Sequence, residues 1–153
     1  MDLSTEDTET TEIRNENAPS SLRPLRSLRS HLGVSMTRHV VGRAEEIPPG
    51  GRKIVRVAGR GEIGVFNVDG AFYALKNTCA HQGSRVCLGK IVGTALPSDV
   101  YEYRYGREGE ILRCPWHEWE YDIKTGESVF DPKVRITTYP VEVVDGDVTV
   151  VLD

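Results

Sequence analysis

The sequence predicts an all-β domain, a sandwich or barrel of short antiparallel strands. Three observations carry that expectation. Short runs of β-branched and aromatic residues recur between Gly- and Pro-bearing turns, in a chain with 15 Gly and 8 Pro. Two pairs of such runs are joined by Asp-Gly, at Asp69-Gly70 and Asp145-Gly146. There glycine accepts the positive φ of a two-residue hairpin turn. After Met36 no stretch of 10 or more residues carries a helical apolar period.

The elements follow in chain order. Met1 to Asn17 is mostly Asp, Glu, Thr and Asn, and holds too few apolar residues to offset its ordering entropy. Ser20 to Ser35 carries Leu22, Leu25, Leu28 and Leu32 beside Arg23, Arg26 and Arg29, interrupted by Pro24. That segment reads either as a basic amphipathic stretch or as a linker. Regular apolar patterning begins past Met36. Residues 1–35 are therefore expected to be a disordered tail or an extension ahead of a start at Met36, and residues 36–153 the folded domain. Lys53–Val57, Glu62–Val68 and Ala71–Leu75 read as strands, the last two paired through Asp69-Gly70. Val100–Tyr105 alternates aromatic with polar residues, and Gly106–Gly109 would turn it back toward Glu110–Arg113. This predicts an extra hairpin near residues 93–109. Tyr139–Val144 and Asp147–Leu152 form the closing hairpin.

Composition excludes several classes of function. A net charge of −4 and a pI near 5.6 do not suit a nucleic-acid partner. No apolar run approaches the roughly 20 residues of a membrane span, and the acidic start has no apolar core of a secretory signal. Three cysteines make no disulfide framework. Their odd number points to a reducing, cytoplasmic setting and turns attention to metal binding.

Two segments carry the chemistry, Cys79-Ala80-His81-Gln82-Gly83 and Cys114-Pro115-Trp116-His117. Each offers one thiolate and one imidazole, ligands for a borderline or soft metal. Cys₂His₂ is also a zinc composition, but zinc fingers usually keep their two Cys close in sequence and their two His likewise. Here each arm holds one of each. That pattern suits two metals, one taking both thiolates and the other both imidazoles.

The chain resembles the Rieske iron–sulfur family. The resemblance rests on Cys79-x-His81, on Cys114-Pro115-Trp116-His117-Glu118-Trp119-Glu120-Tyr121-Asp122, and on the Lys124-Thr125-Gly126-Glu127 turn; it covers about residues 37–153. It implies an antiparallel β-sandwich with a small cluster-binding subdomain and one [2Fe–2S] cluster per chain. Cys79 and Cys114 would hold one iron, His81 and His117 the other. The 32 residues between His81 and Cys114 exceed the spacing of compact Rieske ferredoxins, which places the expected hairpin as an insertion.

Neighbouring residues sort the branches of the family. Ser84 and Trp116 stand where Rieske proteins of cytochrome bc complexes carry a disulfide, and Trp119 stands where those proteins have a serine donor to sulfur. Tyr121 stands at another such donor position. The resemblance implies a potential in the lower part of the Rieske range, roughly −150 to 0 mV. The two other histidines, His31 and His39, both lie upstream of the ligand segments, so the mononuclear iron site of Rieske oxygenases is not expected. The implied function is a soluble ferredoxin, not an enzyme alone. It would pass single electrons from a flavin-dependent reductase to a terminal oxygenase in the cytoplasm, without a membrane or nucleic-acid partner. A permanently bound iron–sulfur subunit and a zinc-stabilised binding module are the alternatives. Cys87 is expected to be a small buried residue, Trp116 and Trp119 to pack near the cluster, and Arg85 to be a docking or plain exposed loop arginine.

Overall fold

The structure, a computed structural model, describes residues 35–153. The tail or extension expected over residues 1–35 lies outside them, but for Ser35. Among the described residues ten strands form three antiparallel sheets. β1 (Thr37–Arg43), β10 (Asp147–Leu152) and β9 (Val141–Val144) make one sheet, in the order β1-β10-β9. β2 (Arg52–Val57), β3 (Gly61–Val68), β4 (Ala71–Lys76) and β8 (Thr138–Tyr139) make the second, in that order. β5 (Lys90–Leu96), β6 (Arg104–Arg113) and β7 (Glu120–Asp122) make the third. The only helical elements among the described residues are single 3₁₀ turns at Ala44–Glu46 and Val86–Leu88. The all-β expectation holds.

Both Asp-Gly turns form as read. Asp69 and Gly70 have φ of 51° and 90°, Asp145 and Gly146 of 51° and 83°. The flanking pairs Val68↔Ala71 and Val144↔Asp147 leave two residues in each loop. Two consecutive positive φ values match the right-handed twist of the strands that the turn joins.

The second sheet is buried on both faces, which explains the nearly continuous apolar run of β3. Ile63, Val65 and Ala74 point toward the first sheet and pack with Val41, Val148, Val150 and Leu152. Phe66 and Leu75, of opposite parity, point toward the third sheet and pack with Val86, Leu112, Tyr121 and Ile123. Each such aliphatic or aromatic side chain contributes about 1.5–3 kcal/mol by leaving water. The second of these two cores also contains Cys79, Cys87 and Cys114. It is the layer on which the site is built.

A hairpin spans this segment, but it is formed by β5 and β6 and not by Val100–Tyr105 turning back on Glu110–Arg113. Its tip is Pro97–Tyr103, and Gly106–Gly109 lies inside the single long strand β6 rather than at a turn. Pro97 has no N–H to offer the ladder and ends β5. Gly106 pairs with Thr94 and Ile111 with Val92, so β6 carries four residues where β5 carries one. Arg107 and Gly109 take φ of 55° and 78°, which makes this segment a bulge instead of a reversal. Arg107 ties the bulge down with hydrogen bonds to Glu110, at 3.1 Å, and to Asp122 on β7.

Gly89, between the Val86–Leu88 turn and β5, allows one close approach that no other residue would. A Cβ there would lie 1.8 Å from the carbonyl oxygen of Arg113, the residue before Cys114. Backbone cannot yield cheaply to such overlap. Gly89→Ala is therefore expected to lower the unfolding free energy by about 3 kcal/mol or more, read from the urea midpoint. A loss under about 1 kcal/mol would contradict this packing.

Candidate metal centre

Two loops bring the four expected residues together. The first, residues 77–85, leaves β4 and carries the chain across to the third sheet. The second, residues 114–119, is the tip of the β6–β7 hairpin. The first is thus a crossover between sheets, not a hairpin tip, because β4 pairs with β3 and β8 while the next strand, β5, pairs with β6 in the third sheet.

The loops share one backbone design. The Cys79 N–H donates to the Ser84 carbonyl (2.8 Å) and the Gly83 N–H to the Cys79 carbonyl (2.9 Å). In the second loop the Cys114 N–H donates to the Trp119 carbonyl (2.8 Å) and the Glu118 N–H to the Cys114 carbonyl (3.1 Å). The residue four after each Cys is left-handed, Gly83 with φ 71° and Glu118 with φ 57°. Glycine takes that conformation freely, whereas Glu118 holds strain that the loop's hydrogen bonds sustain.

Both ends of the first loop are tied to β3 through Glu62. Its carboxylate accepts from the Asn77 amide (2.9 Å) and from Arg85 Nε (3.0 Å). The Asn77 side-chain oxygen in turn accepts the Cys87 N–H at 2.8 Å. Arg85 is therefore a brace for the loop rather than a free docking arginine. At the base of the second loop Arg113 and Glu120 face each other across the ladder and form an ion pair at 2.7 Å, and Thr94 donates to the same carboxylate at 2.5 Å.

The donor atoms sort by depth. Cys79 and Cys114 are buried, 3% and 1% exposed. His81 and His117 are exposed, with ring centroids 4.9 Å apart and planes at 81°. His81 stacks on the half-buried Trp119 at 4.5 Å. Trp116 lies 5.3 Å from the His117 ring but is 65% exposed, so the packing expected of both tryptophans holds for Trp119 alone.

Each thiol has a hydroxyl partner. Tyr121 Oη is 3.2 Å from Cys79 Sγ, and Ser84 Oγ is 3.0 Å from Cys114 Sγ. Burial pushes the Cys79 thiol up. The Tyr121 hydroxyl, the His81 and Gln82 N–H groups and the Cys114 thiol outweigh that and hold it below its ordinary value. Burial, and then the neighbouring Cys79 sulfur, push the Tyr121 phenol up. The phenol thus stays the donor and the sulfur the acceptor.

This donor set fits a binuclear centre. It presents a buried thiol pair that favours the thiolate at Cys79, and an imidazole pair at the surface. Among the described residues no group of three or more His, Cys, Asp or Glu side chains is arranged to hold a single ion. A closed zinc site requires four ligands around one point. The two-plus-two division matches the Rieske composition, with two thiolates on one iron and two imidazoles on the other.

Comparison with known proteins decides the family. The Rieske [2Fe-2S] domain matches residues 37–140. The chain belongs to the Rieske [2Fe-2S] family. The ferredoxin component of the naphthalene 1,2-dioxygenase/salicylate 5-hydroxylase systems of Ralstonia sp is 31% identical over 100 residues, 65% of this chain and 80% of that protein. A ferredoxin of Sphingomonas yanoikuyae B1 superposes with a TM-score of 0.58 at 25% identity, over 76% of this chain and all of that one. The complex of reduced oxygenase and oxidized ferredoxin in carbazole 1,9a-dioxygenase gives a TM-score of 0.59 at 25% identity, over 74% of this chain and 91% of the matched one. The Rieske family brings with it a [2Fe–2S] cluster. No helix among the described residues is long and apolar enough to cross a membrane.

Cys87 stands apart from the other two cysteines. It is fully buried against Gly64, and burial pushes its thiol up to about 12. In the folded Rieske protein at pH 8 it is expected to resist iodoacetamide and to react only in urea. Labelling of Cys87 at the rate of a free thiol would contradict its burial. The hydrogen bond from Asn77 first, then the charge and hydrogen bond of Arg85 and a hydrogen bond from Arg56, hold the Glu62 carboxyl below its ordinary 4.5 despite the opposing effect of burial. A depressed carboxyl stabilises the fold above its unfolded pKa, and that contribution is lost as pH falls through the folded one. The gap in urea midpoint between wild type and Glu62→Gln is therefore expected to close as pH falls from about 6 to 3. A constant gap would mean that Glu62 acts without its charge.

Proposed function

We propose that Cys79 and Cys114 ligate one iron of a [2Fe–2S] cluster and His81 and His117 the other. The protein is then a one-electron carrier that takes electrons from a flavin-dependent reductase and delivers them to a terminal oxygenase. The observation that carries this reading is the division by depth, with thiols in the core and imidazoles at the surface. The relatives support it. They are ferredoxin components of dioxygenase systems, and one solved neighbour is a ferredoxin bound to its oxygenase.

When bound, the cluster supplies a one-electron couple, and the redox chemistry is its own. The residues around it do the rest. Phe66, Leu75, Leu112 and Ile123 keep water from the thiolate side. The Trp119 indole fixes the plane of His81 by stacking. His81 and His117 bring the imidazole edge to solvent, where a partner protein can approach within electron-transfer distance. The protein has no substrate of its own in this reading. Its reducing setting is the cytoplasm, where thiolate ligands stay free of disulfides.

His117→Ala is expected to abolish the Rieske electron paramagnetic resonance signal and to cut bound iron and acid-labile sulfide by at least half. Cys114→Ser should do the same. A His117→Ala protein with two irons per chain and an unaltered signal would refute the assignment.

A further inference from the structure

We infer that Ser84 is a hydrogen-bond donor to the ligand sulfur of Cys114 and sets the reduction potential of the bound cluster. This rests on the ligand assignment proposed above. Ser84 follows the turn of the first loop, and Cys114 opens the second. The Oγ–Sγ distance is 3.0 Å, well inside the range of a hydrogen bond to sulfur. Among the described residues that sulfur is the one hydrogen-bond partner of the hydroxyl. The Ser84 backbone cannot drift, because its carbonyl accepts the Cys79 N–H at 2.8 Å. Neighbouring Arg85 is anchored on Glu62. The hydroxyl is therefore held against Cys114 from both sides along the chain.

The contact has a counterpart. Tyr121, just past the second loop, reaches back to Cys79 in the first at 3.2 Å. Ser84 in the first loop and Tyr121 on the strand that follows the second thus each place a hydroxyl against the opposite loop's cysteine. The loops are laced together by two crossed hydrogen bonds in addition to the packing beneath them.

The consequence for potential follows from charge. Reduction adds one electron and leaves more negative charge on the sulfurs. A donor aimed at sulfur stabilises that state more than the oxidised one and raises the potential. Tyr121 by itself accounts for one sulfur; Ser84 supplies the same effect at the other. Its removal should favour the oxidised state, while a variant that keeps the hydroxyl should not.

The test is an anaerobic redox titration of the holoprotein, followed by electron paramagnetic resonance and circular dichroism, for wild type, Ser84→Ala, Ser84→Gly and Ser84→Thr. Ser84→Ala and Ser84→Gly are expected to lower the equilibrium constant for reduction about tenfold, a fall of ~59 mV for one electron. Ser84→Thr is expected to stay near wild type. An unmoved potential in Ser84→Ala overturns the proposal. So does an equal fall in Ser84→Thr, because packing and not the hydroxyl would then be responsible. Loss of the cluster from both hydroxyl-free variants overturns it too, since Ser84 would then serve assembly rather than potential. A wild-type protein without a Rieske signal overturns the ligand assignment itself; a normal wild-type signal with an unmoved Ser84→Ala potential overturns this proposal alone.

Discussion

Cys79 and Cys114 belong to loops that start on different sheets, and the core between those sheets holds the loops face to face. Phe66 and Leu75 approach from β3 and β4, Leu112 and Tyr121 from β6 and β7. Their contact fixes the separation of the two sheets, and the loops inherit it. Hydrogen bonds then refine the positions: Glu62 at the ends of the first loop, the Arg113–Glu120 pair at the base of the second. Close packing resists change of even a methylene. A site whose halves hang from separate sheets therefore depends on that core more than on any single ligand.

The same arrangement separates two chemical demands. Thiolates bind iron best where water is scarce and hydrogen bonds favour the ionised sulfur, and Cys79 meets both conditions. Electron exchange with another protein needs a short path to the surface, and in the proposed ligand set the exposed His81 and His117 would provide it. The exposed ring of Trp116 lies beside His117 at this edge. The gradient from buried sulfur to exposed imidazole runs through one small set of residues, which is why so short a domain can serve as a carrier.

Much of this was legible in the sequence. The four ligand candidates were visible because Cys and His are chemically distinctive and their spacing is short. The Asp-Gly turns were visible because positive φ restricts residue choice. The bulge in β6 was misread, since glycines at 106 and 109 signal either a turn or a bulge, and only the pairing with β5 separates the two. Arg85 looked like a free surface arginine because Glu62, its partner, lies 23 residues away in sequence. Ser84 was legible as an absent cysteine but not as a donor, because its contact joins residues 30 apart through the fold. Local chemistry and local backbone preference are written in neighbouring residues; bracing contacts between loops are not.

The most direct test of the central claim is electron–nuclear double resonance on the reduced holoprotein, prepared with ¹⁵N-labelled histidine. Two distinct, strongly coupled histidine nitrogens should appear, one from His81 and one from His117. A spectrum with no strongly coupled histidine nitrogen, in a protein that holds two irons, would mean that the imidazoles do not bind the cluster.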